Sequence, residues 1–243
     1  MEVDIKHPKQ TLETSIIALD TAEEVWKLLT EHPTLKEWFK FLDTYYNEKV
    51  SLGFLLPCAS SKLPSYTESK SPYYKFMYKI LKPFNCPEIQ VFTISEPLGI
   101  HPSNWKWVSE KEWLESGNKV GILPYYNVTG LFGKKDEYFY KCVKFLGVII
   151  NKFLFKHKDC KFNVFVKLNK SHMFMIQYAL GLRGGYYDIE IRNVKVFVDK
   201  MKELKGMSKG FHFIRPYEKE IVDMCSATLL KTHLLETMSF THW

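Results

Sequence analysis

One stretch constrains this chain more than any other: an uncharged run from Val50 to Leu56, a polar loop, and a helix start at Ser71-Pro72. A run of that length without charge reads as a strand buried on both faces, as in a parallel sheet. Pro57 stops it, because proline cannot donate to a sheet ladder. Serine followed by proline is a helix-start pair, with an N-cap hydroxyl expected at Ser71 and proline in the first helical position. Strand, loop and helix start in that order put the loop outside the carboxyl end of a strand, where α/β proteins place their ligands.

The same alternation continues along the chain. Thr21 and Glu24 form a capping box ahead of Val25, Leu28 and Leu29, and Thr34 with Glu37 repeats the signal before Trp38, Phe39 and Leu42. An N-terminal helical pair is predicted, broken at Pro33. Tyr73, Phe76, Met77, Ile80 and Leu81 fall at helical spacing up to Pro83. Ile89 to Ile94 is a second buried strand running into Ser95-Glu96-Pro97-Leu98-Gly99. Val120 to Leu123 is a third, entering Tyr126-Asn127-Val128-Thr129-Gly130. Phe139 to Phe153 is a long helix, Phe162 to Leu168 a fourth strand, and Ser171 caps a helix carrying Met173, Ile176 and Leu180. The weak alternation of Tyr186 to Val198 fits a strand pair or a helix, and Lys200 to Gly210 a solvated connection. Ile221, Met224, Cys225 and Leu229 point to a C-terminal helix. The expected fold class is therefore α/β with a mainly parallel central sheet, in a three-layer α/β/α sandwich, with an N-terminal helical extension and a C-terminal helix.

Composition narrows the function classes. At 46% hydrophobic and 16% aromatic the 243 residues can bury a large core, which excludes wholesale disorder. A formal charge of +7 suits an acidic partner such as RNA and equally a lysine-rich surface. The five cysteines are scattered and contain no Cys-x-x-Cys, so neither a disulfide framework nor a metal site is expected. No signal-peptide pattern follows Met1, and the apolar stretch from Phe145 to Phe155 is too short to span a bilayer. The expected location is cytoplasmic, with no membrane partner.

Loops after strands supply the candidate site residues. Cys58 near a helix start is a candidate nucleophile, or else an inert thiol behind the strand. Lys62 can hold a phosphate or carboxylate as a point charge, or stand in solvent. Ser69 and Ser71 are candidate anion donors, Ser71 otherwise simply capping the helix, and Tyr66 is a platform for a base or else a half-buried structural ring. Glu96 can accept from, or deprotonate, an ammonium group, or form a salt bridge. Asn127 and Thr129 can line the crevice or make an ordinary turn. His101 is a second candidate for proton transfer, or a surface histidine.

Three of these loops together resemble the central domain of archaeosine synthase, the archaeal enzyme related to tRNA-guanine transglycosylase. That family carries Pro-Cys, three residues, Lys-Pro-Tyr, two residues, Ser, two residues, His. Pro57, Cys58 and Lys62 match in spacing, while Pro64, Tyr66 and Ser69 match with Leu63 and Ser65 as extra residues. The family histidine falls on Pro72. Glu96-Pro97-Leu98-Gly99 with Trp105 resembles the second family loop, and Val128-Thr129-Gly130 the third. The resemblance spans Val50 to Leu180 and implies a uracil-DNA-glycosylase-like fold. It divides the chain into an N-terminal helical extension (1–48), an archaeosine-synthase-like α/β domain (49–185) and a C-terminal extension packing on the same core (186–243).

The resemblance implies addition of the ε-amino group of free lysine, or another small amine, to the nitrile of cyano-deazaguanine in tRNA. No cofactor is expected, since a nitrile is already an activated electrophile. Cys58, Lys62 and Glu96 would be catalytic; Ser60, Ser61, Tyr66, Ser69, Pro97, Leu98, Asn127 and Thr129 would bind substrate. tRNA is the implied partner, with a separate transglycosylase-like, PUA-containing or radical enzyme subunit supplying what this chain lacks. The rival implied by the missing histidine is a catalytically degenerate module that binds a nucleobase or tRNA and assists such a partner.

Overall fold

The computed structural model describes residues 19–59, 64–68, 71–126, 128, 130–166, 170–181 and 217–240. Two helices come first, α1 (Ala22–Glu31) and α2 (Pro33–Thr44). Strand β1 (Leu52–Pro57), helix α3 (Pro72–Leu81) and strand β2 (Ile89–Ser95) come after them, then the short strands β3 (Gly99–Pro102) and β4 (Lys106–Val108). Next come α4 (Glu110–Glu115), β5 (Ile122–Pro124), the long α5 (Glu137–Lys156), β6 (Lys161–Val164), α6 (Ser171–Gly181) and α7 (Glu218–Phe240). The stretch 186–210 lies outside the described residues.

Four strands make one sheet in the order β3-β2-β1-β6. β1 runs parallel to both β2 and β6, and only β3 turns back antiparallel. All six residues of β1 are buried, which is why its sequence lacks the polar alternation of a half-exposed strand. Helices cover both faces of the sheet. Phe92 meets the Phe153 ring of α5 at 5.2 Å, while its neighbour Thr93 shares a 2.7 Å hydrogen bond with the Tyr74 hydroxyl of α3. The fold is thus mixed α/β with a mainly parallel sheet.

The N-terminal helices belong to the same core. Trp26 and Phe39 both pack on Phe145 of α5, and Trp38 is fully buried. The Thr21–Glu24 capping box forms: the Thr21 hydroxyl accepts from the Glu24 amide, and Glu24 accepts from the Thr21 amide at 2.9 Å. The second expected box does not. His32 takes the N-cap of α2, Pro33 the first position, and the Thr34 hydroxyl donates instead to Glu110, the first residue of α4. Ser71 stands at the N-cap of α3 as expected, yet its hydroxyl makes no cap bond.

The third predicted strand is real but sits elsewhere. Ile122–Pro124 pairs in parallel with β4 in a separate two-stranded sheet, so its end does not adjoin those of β1 and β2. A short apolar run carries no mark of which sheet it joins. The turn beyond it packs on the start of α1. Val128 bridges to Leu19, the Gly130 amide donates to the Leu19 carbonyl at 2.7 Å, and a β-carbon on Gly130 would lie 2.4 Å from the Thr21 carbonyl oxygen.

His157 closes α5 and ties it to the chain before β1. Its ring stacks on Phe153 at 4.3 Å, and Nε2 accepts from the Asn47 amide at 3.2 Å. With Nε2 accepting, Nδ1 carries the proton and donates to the Phe153 carbonyl at 2.9 Å. Burial disfavours the charged ring and holds its pKa below the ordinary 6.5. The unfolded chain therefore binds a proton at His157 that the folded chain refuses. Stability is expected to fall as pH drops from 6.5 through the lowered folded value, read by urea unfolding at each pH. His157→Gln should flatten that part of the slope; an unchanged slope would assign it to other groups.

Candidate functional site

Cys58, Glu96 and His172 come together at the carboxyl ends of three adjacent parallel strands. Cys58 is the first residue after β1, Glu96 the first after β2, and His172 the second residue of α6, which comes after β6. Sulfur Sγ of Cys58 lies 3.4 Å from Glu96 Oε2 and 3.3 Å from His172 Nε2. Nε2 and Oε2 are 3.0 Å apart. The second carboxylate oxygen of Glu96 accepts a hydrogen bond from the Ser171 hydroxyl. Ser171 thus serves the carboxylate, rather than only starting a helix as its position suggested.

The backbone explains why Glu96 points inward. β2 and β3 are joined through Glu96, Pro97 and Leu98 into Gly99, which sits at φ +80, a conformation glycine adopts without the Cβ penalty. The turn is pinned from outside, where the Trp38 indole donates to the Leu98 carbonyl at 2.9 Å. Cys58 is fixed through its main chain. Its amide donates to the Ile94 carbonyl at 2.8 Å, and its carbonyl accepts from the Tyr73 hydroxyl at 2.8 Å. Tyr74 adds a bond to the Pro57 carbonyl at 3.1 Å. Burial pushes both phenols well above the usual tyrosine range, so they remain neutral donors.

Glu96 and His172 are 3% and 4% exposed, so each must satisfy the other. Burial alone would raise the Glu96 carboxyl. The His172 charge and the hydrogen bonds from His172 and Ser171 outweigh it and hold the carboxyl at about 2. For His172 burial works against the charged ring, but Glu96 and Cys58 facing it raise its pKa well above 6.5. The pair is an ion pair at neutral pH. Cys58 and its neighbour Ala59 are only partly buried, so among the described residues the thiol edge is where the centre approaches the surface. A thiol, a carboxylate and an imidazole within reach of one another can pass a proton, present a sulfur nucleophile, or hold a metal ion.

Other candidates fall outside this centre. Tyr66 is fully buried, stacked on Tyr74 at 4.5 Å and lying beside His101 at 6.0 Å, so its ring has no free face for a base. His101 is no surface histidine. It is buried within β3, with Nδ1 2.9 Å from the Pro102 carbonyl. Pro97 and Leu98 are buried too, and Leu98 positions the Glu96 turn instead of lining a crevice. Ser60, Ser61, Lys62, Ser69, Asn127 and Thr129 lie outside the described residues. His172 escaped the sequence reading. The rule that found Cys58 and Glu96, inspecting the residues just past each buried strand, would have reached it after the fourth.

Comparison with protein-family models, curated proteins and solved structures returns no match. Among the described residues no helix is long and apolar enough to cross a membrane.

Proposed function

We propose that this chain is an archaeosine-synthase-like transferase that joins the ε-amino group of lysine to the nitrile of a deazaguanine base in tRNA, on a three-layer uracil-DNA-glycosylase-like sandwich. What carries this is the contact of Cys58 Sγ with both His172 and Glu96 at the carboxyl edge of the sheet. The motif that Cys58 belongs to lacks its histidine in sequence, and an imidazole nevertheless stands 3.3 Å from the sulfur, brought there by helix α6. The net charge of +7 suits a tRNA partner.

The chemistry balances without a cofactor. The Cys58 sulfur bonds to the nitrile carbon, and the thiol proton travels through the Glu96–His172 pair to the nitrile nitrogen, giving a thioimidate. The lysine amine then bonds to the same carbon, the carbon–sulfur bond breaks, and the sulfur recovers a proton as the amidine forms. Glu96 holds the imidazole charged, so a proton donor faces the nitrogen as negative charge develops there.

The test is the mass of a nitrile-bearing tRNA incubated with the protein and lysine in the presence of a chelator, with a transglycosylase-like or radical enzyme partner added in parallel. A gain equal to one lysine is expected. A tRNA that binds yet stays at its original mass under both conditions would sink the transferase reading and leave the binding module.

A further inference from the structure

We propose that Cys58 Sγ, Glu96 Oε2 and His172 Nε2 are three protein ligands of a four-coordinate transition-metal site of the zinc class. The sequence offered no metal-binding spacing, because the three donors come from segments 38 and 76 residues apart. The fold supplies what the spacing lacks. All three donor atoms lie within 4.8 Å of one another. Their separations of 3.4, 3.3 and 3.0 Å approach the edges of a zinc tetrahedron, which are roughly 3.3–3.6 Å for metal–sulfur bonds near 2.3 Å and metal–nitrogen or –oxygen bonds near 2.0–2.1 Å. An ion placed between them needs the donors to part by only a few tenths of an ångström.

The chemistry of the set agrees. One sulfur, one nitrogen and one carboxylate oxygen are ligands that a borderline-soft divalent ion accepts, whereas calcium and magnesium favour oxygen alone. Thiolate and carboxylate together balance a divalent charge in a buried setting. The carboxylate oxygen left off the metal is already engaged by the Ser171 hydroxyl, the outer-shell bond that orients ligating carboxylates. Cys58 and Glu96 directly succeed β1 and β2, and His172 lies in the first turn of α6 beyond β6; β2 and β6 both pair with β1, so the sheet holds the set together. Three protein donors leave the fourth position to water or substrate.

The transfer step written above uses the metal-free thiol, and coordination to a metal lowers the nucleophilicity of a thiolate. The chelator in the transfer assay therefore keeps the two proposals separable: a failed transfer there says nothing about metal, and a failed metal site says nothing about transfer. The site is tested with cobalt(II) on the reduced, chelator-stripped full chain. Saturation at one equivalent is expected, with a near-ultraviolet thiolate-to-cobalt band and the intense visible bands of tetrahedral coordination, both erased by zinc. Cys58→Ser should abolish the thiolate band, His172→Gln should weaken binding by more than about 100-fold, and Ser171→Ala by about 10- to 100-fold. Cys86→Ala should leave the wild-type spectrum intact. Absence of saturable binding to the wild-type chain, or a thiolate band that persists in Cys58→Ser, overturns the proposal, and the first outcome does not depend on any variant folding.

Discussion

Replacing Cys58 with alanine is expected to lower lysine transfer to nitrile-bearing tRNA by roughly a thousandfold or more, the scale of losing a covalent nucleophile. The substitution removes the atom that would bond to the nitrile carbon. It leaves the tyrosine bonds to the Cys58 and Pro57 carbonyls in place, since these go to the main chain. The Glu96–His172 pair keeps its own 3.0 Å contact and the Ser171 bond. Folding is thus expected to change little, and tRNA binding not at all. The measurement is the initial rate of mass gain beside binding of the same tRNA. Wild-type turnover by the alanine variant would remove the thiol from the reaction and leave direct attack of the amine. Cys58→Ser sharpens the comparison, because a hydroxyl keeps the shape and is a far weaker nucleophile at neutral pH.

Trp38→Ala is expected to cost about 3–5 kcal/mol of folding stability, the range for truncating a large buried aromatic. Trp38 is wholly buried, edge-on to Trp105 at 6.3 Å and Trp113 at 6.1 Å. Its loss opens a cavity among rings that cannot close over it, and it strips the Leu98 carbonyl of its indole donor. Urea unfolding measures the effect. Trp38→Phe separates the two contributions: it refills most of the volume but leaves the carbonyl unpaired, at about 1–3 kcal/mol. A loss under about 1.5 kcal/mol for the alanine variant would mean that the N-terminal helices fold as an appendage rather than as part of the core.

Much of the architecture was legible because buried parallel strands and amphipathic helices leave different periods. β1, β2, α3 and α5 all conform to that reading. Cys58 and Glu96 were legible for a related reason: each stands just past an uncharged run. His172 was not, since it stands among Ser171, Met173, Met175 and Ile176 and reads as part of a buried helix face, which it also is. Tyr66 misled because a tyrosine in a polar loop looks the same whether its ring will meet a base or another tyrosine. Sheet membership of Ile122–Pro124 was hidden because parallel partners are chosen by topology, which three apolar residues do not encode.

The strand that delivers His172 is also the least anchored of the three behind the centre. β6 pairs over four positions with β1, and no described strand flanks it on the far side, whereas β1 is clasped between two neighbours. Sub-global opening is cheapest at such a margin. Detachment of β6 with α6 would withdraw the imidazole while thiol and carboxylate stayed put, so the assembled centre rests on this four-residue seam together with the packing of α6 on α5, where the Asn151 side-chain amide donates to the Ala179 carbonyl.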